Sequence, residues 1–135
     1  MKHTMKHAAL LLSAIALGAC VPAQEAPVVS TAPALPSGSQ VELGQPVMVG
    51  ELKVTPLEVA EDSRCPMNAR CVWAGRVILV TRIDGQGWRE TTPLTLGEPF
   101  ATHGIPIRLT SVSPERVTGD APAPAEYRFG FEGGN

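Results

Sequence analysis

The chain has 135 residues, enough for one modest domain and too few for two. Its 11 Lys and Arg against 13 Asp and Glu leave a formal charge of −2 without a basic block, so nucleic-acid binding has no electrostatic support. Thirteen prolines and 13 glycines argue against a helical bundle and for a turn-rich β architecture.

Lys2, His3, Lys6 and His7 form a basic start, and Ala8 to Leu17 is an apolar run broken only by Ser13. That run is too short for a bilayer core, which needs about 20 residues, and reads as the apolar part of an export signal. Leu17-Gly18-Ala19-Cys20 closes it. The order leucine, two small residues, cysteine resembles a bacterial lipobox. The resemblance implies that residues 1–19 are a lipoprotein signal peptide, that Cys20 is lipidated and becomes the first mature residue, and that the protein stands in the cell envelope. One acyl chain gives reversible attachment, whereas the two or three chains of a lipoprotein hold stably. Val21, in place of the Asp that often retains lipoproteins at an inner membrane, points to an outer membrane. Loss of Lys2 and Lys6 with the signal lowers the formal charge from −2 to −4, and leaves His103 as the remaining histidine.

Residues 20–40 read as the lipidated N-terminus followed by a disordered linker. Pro22, Pro27, Pro33 and Pro36 favour extended backbone, and the Ser37-Gly38-Ser39 end adds freedom. Such a tether reaches about 25 Å as a coil and about 60 Å in polyproline form.

From residue 41 to 135 a period-two pattern predicts a β domain. Val41–Leu43 and Val47–Val49 are short strands. Leu52 and Val54 alternate with Lys53 and Thr55, and the phase slips at Pro56 before Leu57 and Val59, which suggests a bulge or an edge. Val72 to Ile83 is the strongest strand, with Val77, Leu79 and Ile83 on one face and Ile78 and Val80 on the other, as in a central strand. Asp84-Gly85-Gln86-Gly87 is a turn, and Trp88 to Leu96 returns as the partner strand. Ile105, Ile107 and Leu109 alternate next, up to Pro114. Val117 to Pro124 is a loop, and Tyr127, Phe129 and Phe131 form a final aromatic strand. Six or seven strands at this spacing predict a small antiparallel β-sandwich, or a barrel-like closure of the same strands.

The least generic stretch is Asp62-Ser63-Arg64-Cys65-Pro66-Met67-Asn68-Ala69-Arg70-Cys71-Val72-Trp73-Ala74-Gly75. With Cys20 lipidated, Cys65 and Cys71 form an even pair that an exported compartment tends to oxidise. The segment resembles one found in small exported bacterial domains, many of them lipoproteins of unassigned activity, which carry DSRCP…CVWAG between two strands. That resemblance implies a Cys65–Cys71 disulfide in a β-sandwich-like domain and brings no catalytic residue with it.

Three readings of the segment compete. In the first it is a stapled crossover, with Trp73 packed on the disulfide and Gly75 allowing a neighbouring strand to come close. In the second, Arg64, Met67, Asn68 and Arg70 project from a rigid recognition loop; a protease-inhibitor loop offering Arg70 or Met67 is a special case. In the third, Cys65, Met67, Cys71 and His103 hold a soft metal such as Cu(I), although C-x5-C is neither a zinc nor a thiol-oxidoreductase spacing.

Catalytic patterns are weak. Ala101-Thr102-His103-Gly104 reads as a loop carrying a lone histidine, and neither a nucleophile elbow nor a Ser-x-x-Lys motif is present. Glu61 and Asp62, adjacent in a strand, point to opposite faces, which is poor geometry for a carboxylate pair. The expected protein is a lipid-anchored envelope β domain with a non-enzymatic binding or structural role and no cofactor. Its expected partners are the membrane, through Cys20, and an envelope protein or ligand that the sequence does not name.

Overall fold

The computed structural model describes residues 29–135. The expected signal peptide, the lipidation of Cys20 and the first part of the expected linker lie outside the described residues.

Seven strands form two antiparallel sheets. The first sheet contains β1 (Val47–Val49), β2 (Leu52–Asp62), β3 (Val77–Gly85) and β4 (Trp88–Thr95), in that spatial order. The second contains β5 (Pro99–Thr102), β6 (Ile105–Ser113) and β7 (Arg128–Gly133). Their inward faces meet in one core, where Phe129, Leu52, Leu79, Ile83, Leu94 and Leu109 are fully buried. This is the sandwich that the period-two pattern predicts: alternate residues of each strand share a face, and the two apolar faces cover one another. The sheets also touch along one side, where Val41 pairs with Phe129 in an isolated antiparallel bridge and Glu51 N–H donates to Gly134 O.

Bulges decide which residues face inward. In β2 the register with β3 shifts after Pro56 and again after Val59. The phase slip read at Pro56 is therefore a bulge. It is also an edge, because β1 pairs only with Leu52 to Val54 and leaves the second half of β2 without a neighbour on that side. Pro56 lacks an N–H, and its carbonyl accepts from Gly44 N–H beyond the end of β1, so no ladder bond is lost there. In β6 a shift between Leu109 and Ser111 moves the inward set from Ile107 and Leu109 to Val112.

Four expectations need correction. The linker does not run to residue 40. Ser30 N–H donates to Gly44 O, Leu35 bridges Val47 in parallel, and Met48 N–H donates to Leu35 O, so the chain joins the edge of the first sheet well before residue 41. Val41–Leu43 is a single bridge at Val41 rather than a strand. The strand expected from Val72 begins at Val77, because Gly75 takes φ +71° and breaks the extended path. The loop expected over Ala101–Gly104 shrinks to His103-Gly104, since Ala101 and Thr102 belong to β5, and those two residues form the tight turn of a hairpin joining β5 and β6. His103 and Gly104 sit at φ +50° and +76°, the pairing a two-residue type I′ turn requires. A histidine tolerates this region less readily than the asparagine usual there, which is why the sequence did not announce the turn.

Candidate functional site

The site grows out of the last residues of β2. Asp62 and Arg64 form an ion pair, with Arg64 Nε 2.8 Å from Asp62 Oδ1 and Nη2 2.8 Å from Oδ2. The side chains are only 4% and 12% exposed, respectively. Arg64 spends its remaining donors on Val112 O at 3.1 Å and Pro114 O at 3.0 Å, which ties the start of the loop to the end of β6. Tyr127 Oη donates to Asp62 Oδ2 at 2.8 Å, and Arg116 Nη1 donates to the Asp62 carbonyl at 3.0 Å.

Burial works against ionisation of Asp62. The hydrogen bonds from Arg64 and Tyr127, together with the Arg64 charge, outweigh it and hold the carboxyl below its ordinary value. The same bond holds Arg64 more firmly protonated, against the effect of its own burial. Burial first, and then the bond to the Asp62 carboxylate, pushes the Tyr127 hydroxyl up to about 12.

A second clamp lies on the opposite face of β2, as expected for adjacent strand residues. Ser63 Oγ donates to Glu61 Oε1 at 2.9 Å, and Arg76 Nε donates to Glu61 Oε2 at 3.0 Å. The Ser63 bond and then the Arg76 bond lower the Glu61 carboxyl. Between the clamps, Ser63 N–H donates to Arg76 O and Cys65 N–H to Ala74 O, so the loop returns alongside its own beginning. Gly75 makes this possible: a Cβ there would stand 1.7 Å from Ser63 O. The close approach read at Gly75 is thus real, and the neighbour is the continuation of β2.

Cys65 and Cys71 are joined in a disulfide, with Cα atoms 5.9 Å apart. Met67 N–H donates to Arg116 O, and Ala69 N–H to Pro66 O, closing a turn at the tip. Asn68 binds Thr118 twice: its Nδ2 donates to Thr118 Oγ1 at 2.7 Å, and its Oδ1 accepts from Thr118 N–H at 2.9 Å.

The four residues read as projecting therefore divide in two. Arg64 is half-buried and Asn68, although exposed, is engaged with Thr118, so both hold the loop down. Met67 and Arg70 face solvent. Trp73 does not belong to the core; it is 60% exposed, Met67 is 71% and Val117 is 56%, and Val72 is wholly exposed. Among the described residues, Leu35 is the one exposed large apolar residue outside this loop and the one adjoining it. The strand reading of Val72 onward concealed Val72 and Trp73. The positive φ of Gly75 is the signal that would have released them, since it turns residues 72–74 away from the sheet.

His103 lies elsewhere. It stacks on Trp88 with ring centroids 3.9 Å apart, and Trp88 covers Gly85 at the β3–β4 turn. Thr102 Oγ1 donates to Glu90 Oε2 and stands 3.0 Å from His103 Nδ1. This turn and the disulfide loop occupy opposite ends of β3, about 25 Å apart at 3.3 Å per residue. The soft-metal arrangement fails on both counts: the two thiols are spent in the disulfide, and the histidine is at the far end of the sheet. Among the described residues, no group of three or more His, Cys, Asp or Glu converges on a metal position.

An open groove of about 490 Å³ runs along the unpaired half of β2, lined by Leu43, Leu57, Val59, Pro122, Pro124 and Tyr127. Asp62 of the clamp lines it as well. No protein family, curated protein or solved structure matches the chain.

Proposed function

We propose that the protein is a lipid-anchored, non-enzymatic component of the bacterial cell envelope, and that the crest of the Cys65–Cys71 loop is its contact surface. The lipobox-like Leu17-Gly18-Ala19-Cys20 supports the anchoring, and Val21 favours an outer-membrane location. The observation that carries the contact role is the placement in solvent of Met67, Val72 and Trp73, on a loop held by a disulfide and two ionic clamps, and of Val117 on the adjoining loop. Folding does not spontaneously leave a tryptophan, a methionine and two valines together in water, and such patches mark contact sites. A loop already fixed in place loses little freedom when it binds. The resemblance of residues 62–75 to a segment of other exported domains is consistent with a shared scaffold around that loop.

A protease-inhibitor form of the contact is disfavoured by the hydrogen-bonded turn from Pro66 to Ala69, because a segment entering a protease cleft is extended. The test is a photo-crosslinking residue placed at Arg70 in living cells, with one at Gln86 on the opposite end as the control. Adducts at Arg70 that are absent at Gln86 support the contact surface. Equal or absent labelling at the two positions removes it.

A further inference from the structure

Resting on the reading just given, we infer that what the crest meets is the lipid–water interface itself, so that the domain is held to the membrane at a second point. Three observations carry this. The first is chemical. Val72 and Trp73 are consecutive exposed residues on the returning arm of the loop, and the bond from Met67 N–H to Arg116 O brings the segments carrying exposed Met67 and Val117 together, an aliphatic and indole set suited to the boundary between headgroups and acyl chains.

The second is charge. From Cys65 to Gly75 the chain has no acid and one base, Arg70, which makes no ion pair among the described residues. The acids at the base of the loop are already engaged, Asp62 with Arg64 and Glu61 with Arg76. Glu115 and Asp120 in the adjoining loop oppose the attraction of Arg70 and Arg116 to anionic lipid, so the preference for it is small.

The third is where the chain arrives. The parallel bridge Leu35–Val47 and the bond from Ser30 N–H to Gly44 O show the direction of the N-terminal segment. Followed back from Leu35 to Ser30, it runs from β1 toward Pro56, whose carbonyl binds Gly44 N–H. From Pro56, β2 continues in the same direction for six residues, about 20 Å, to Asp62 at the root of the loop. The ten residues from Cys20 to Val29 span at most about 35 Å. A lipid on Cys20 and the loop crest can therefore meet one bilayer face, with the His103 end of the domain pointing away. A single weak interfacial contact becomes effective once the anchor raises its local concentration.

The experiment uses the whole mature chain with Cys20→Ser, so that no acyl chain contributes. Flotation is measured on vesicles of phosphatidylethanolamine and phosphatidylglycerol, and on phosphatidylcholine alone. The chain is expected to float on both at millimolar lipid, with up to fivefold stronger partition on the anionic vesicles, the effect of one arginine near a charged surface. Val72→Ser combined with Trp73→Ser is expected to weaken partition about tenfold or more on both vesicles at an unchanged Tm. Arg70→Gln is expected to abolish only the anionic preference. Absence of flotation on either vesicle overturns the inference, as does equal flotation of the Val72→Ser/Trp73→Ser chain. The Arg70 crosslink then separates the two levels: a protein adduct keeps the contact surface and replaces lipid by a protein partner, while no adduct removes the contact surface as well.

Discussion

Asp62 is the residue on which the loop depends, and its environment makes a measurable signature. Tyr127, which donates to it, is the single tyrosine of the chain, so absorbance near 295 nm titrates that hydroxyl alone. The midpoint is expected near 12 in the folded protein and near 10 after denaturation. A folded value above the unfolded one means that the stabilisation is complete below pH 10 and is lost as pH rises through about 12. Tyr127→Phe should lack that alkaline decline; a wild-type midpoint near 10 would refute the buried bond to Asp62. Arg64 and Arg70 provide a second contrast. Arg64→Ala removes a buried partner of Asp62 and two bonds to β6, and is expected to cost about 3 kcal/mol in denaturant unfolding. Arg70→Ala should stay within about 0.5 kcal/mol. Each of these arginines flanks a cysteine in the same segment, and the sequence separates them only by the acids Glu61 and Asp62 just before Arg64. Arg64 is two residues from Asp62 and reaches carbonyls some 50 positions away, contacts that only a folded chain creates.

Among the elements, the stapled loop and the strands around it were legible to different degrees. Leu52 and Val54, Val77 to Ile83, and Phe129 with Phe131 follow period-two alternation closely, and each became a strand whose buried residues match the pattern. The β5–β6 hairpin was hidden because Pro99 to Thr102 is short and its turn uses His-Gly. The start of β3 was misplaced because Val72 and Trp73 carry strong strand propensity, and a glycine three residues later overrides it. The disulfide closes a short loop, and its removal by Cys65→Ser with Cys71→Ser is expected to lower stability by about 2 kcal/mol through the freedom regained by the unfolded chain. The bonds that tie Asp62 and Arg64 to Tyr127 and Val112 do not pass through the disulfide, so the variant should keep its two-sheet circular dichroism while losing protease resistance between Asp62 and Arg76. Cleavage appearing instead within β3 or β6 would show that the staple supports the sandwich itself.

For the whole molecule, the anchor and the domain make separate predictions. Among the described residues no helix is long and apolar enough to cross a membrane. In the proposed reading the lipid on Cys20 is the main attachment, with the crest as a weaker aid. Cys20→Ser is expected to move most of the protein from the membrane pellet to the soluble fraction on cell fractionation and washing, since the crest alone holds weakly; retention in the pellet would contradict this. The disulfide is what the resemblance of residues 62–75 implies, while the all-β class and the two-faced alternation followed from local chemistry, namely residue period and glycine and proline positions. Which arginine is buried, where β3 begins and which apolar residues stand in water did not. Those outcomes depend on bulges that shift register by one residue and on contacts between positions far apart in the chain, such as Asp62 with Tyr127 and Asn68 with Thr118. A one-residue shift exchanges the two faces of a strand, and long-range partners exist only once both sheets are in place. For that reason the sequence disclosed the loop as unusual, while the packed structure separated the residues that hold it from the residues it presents.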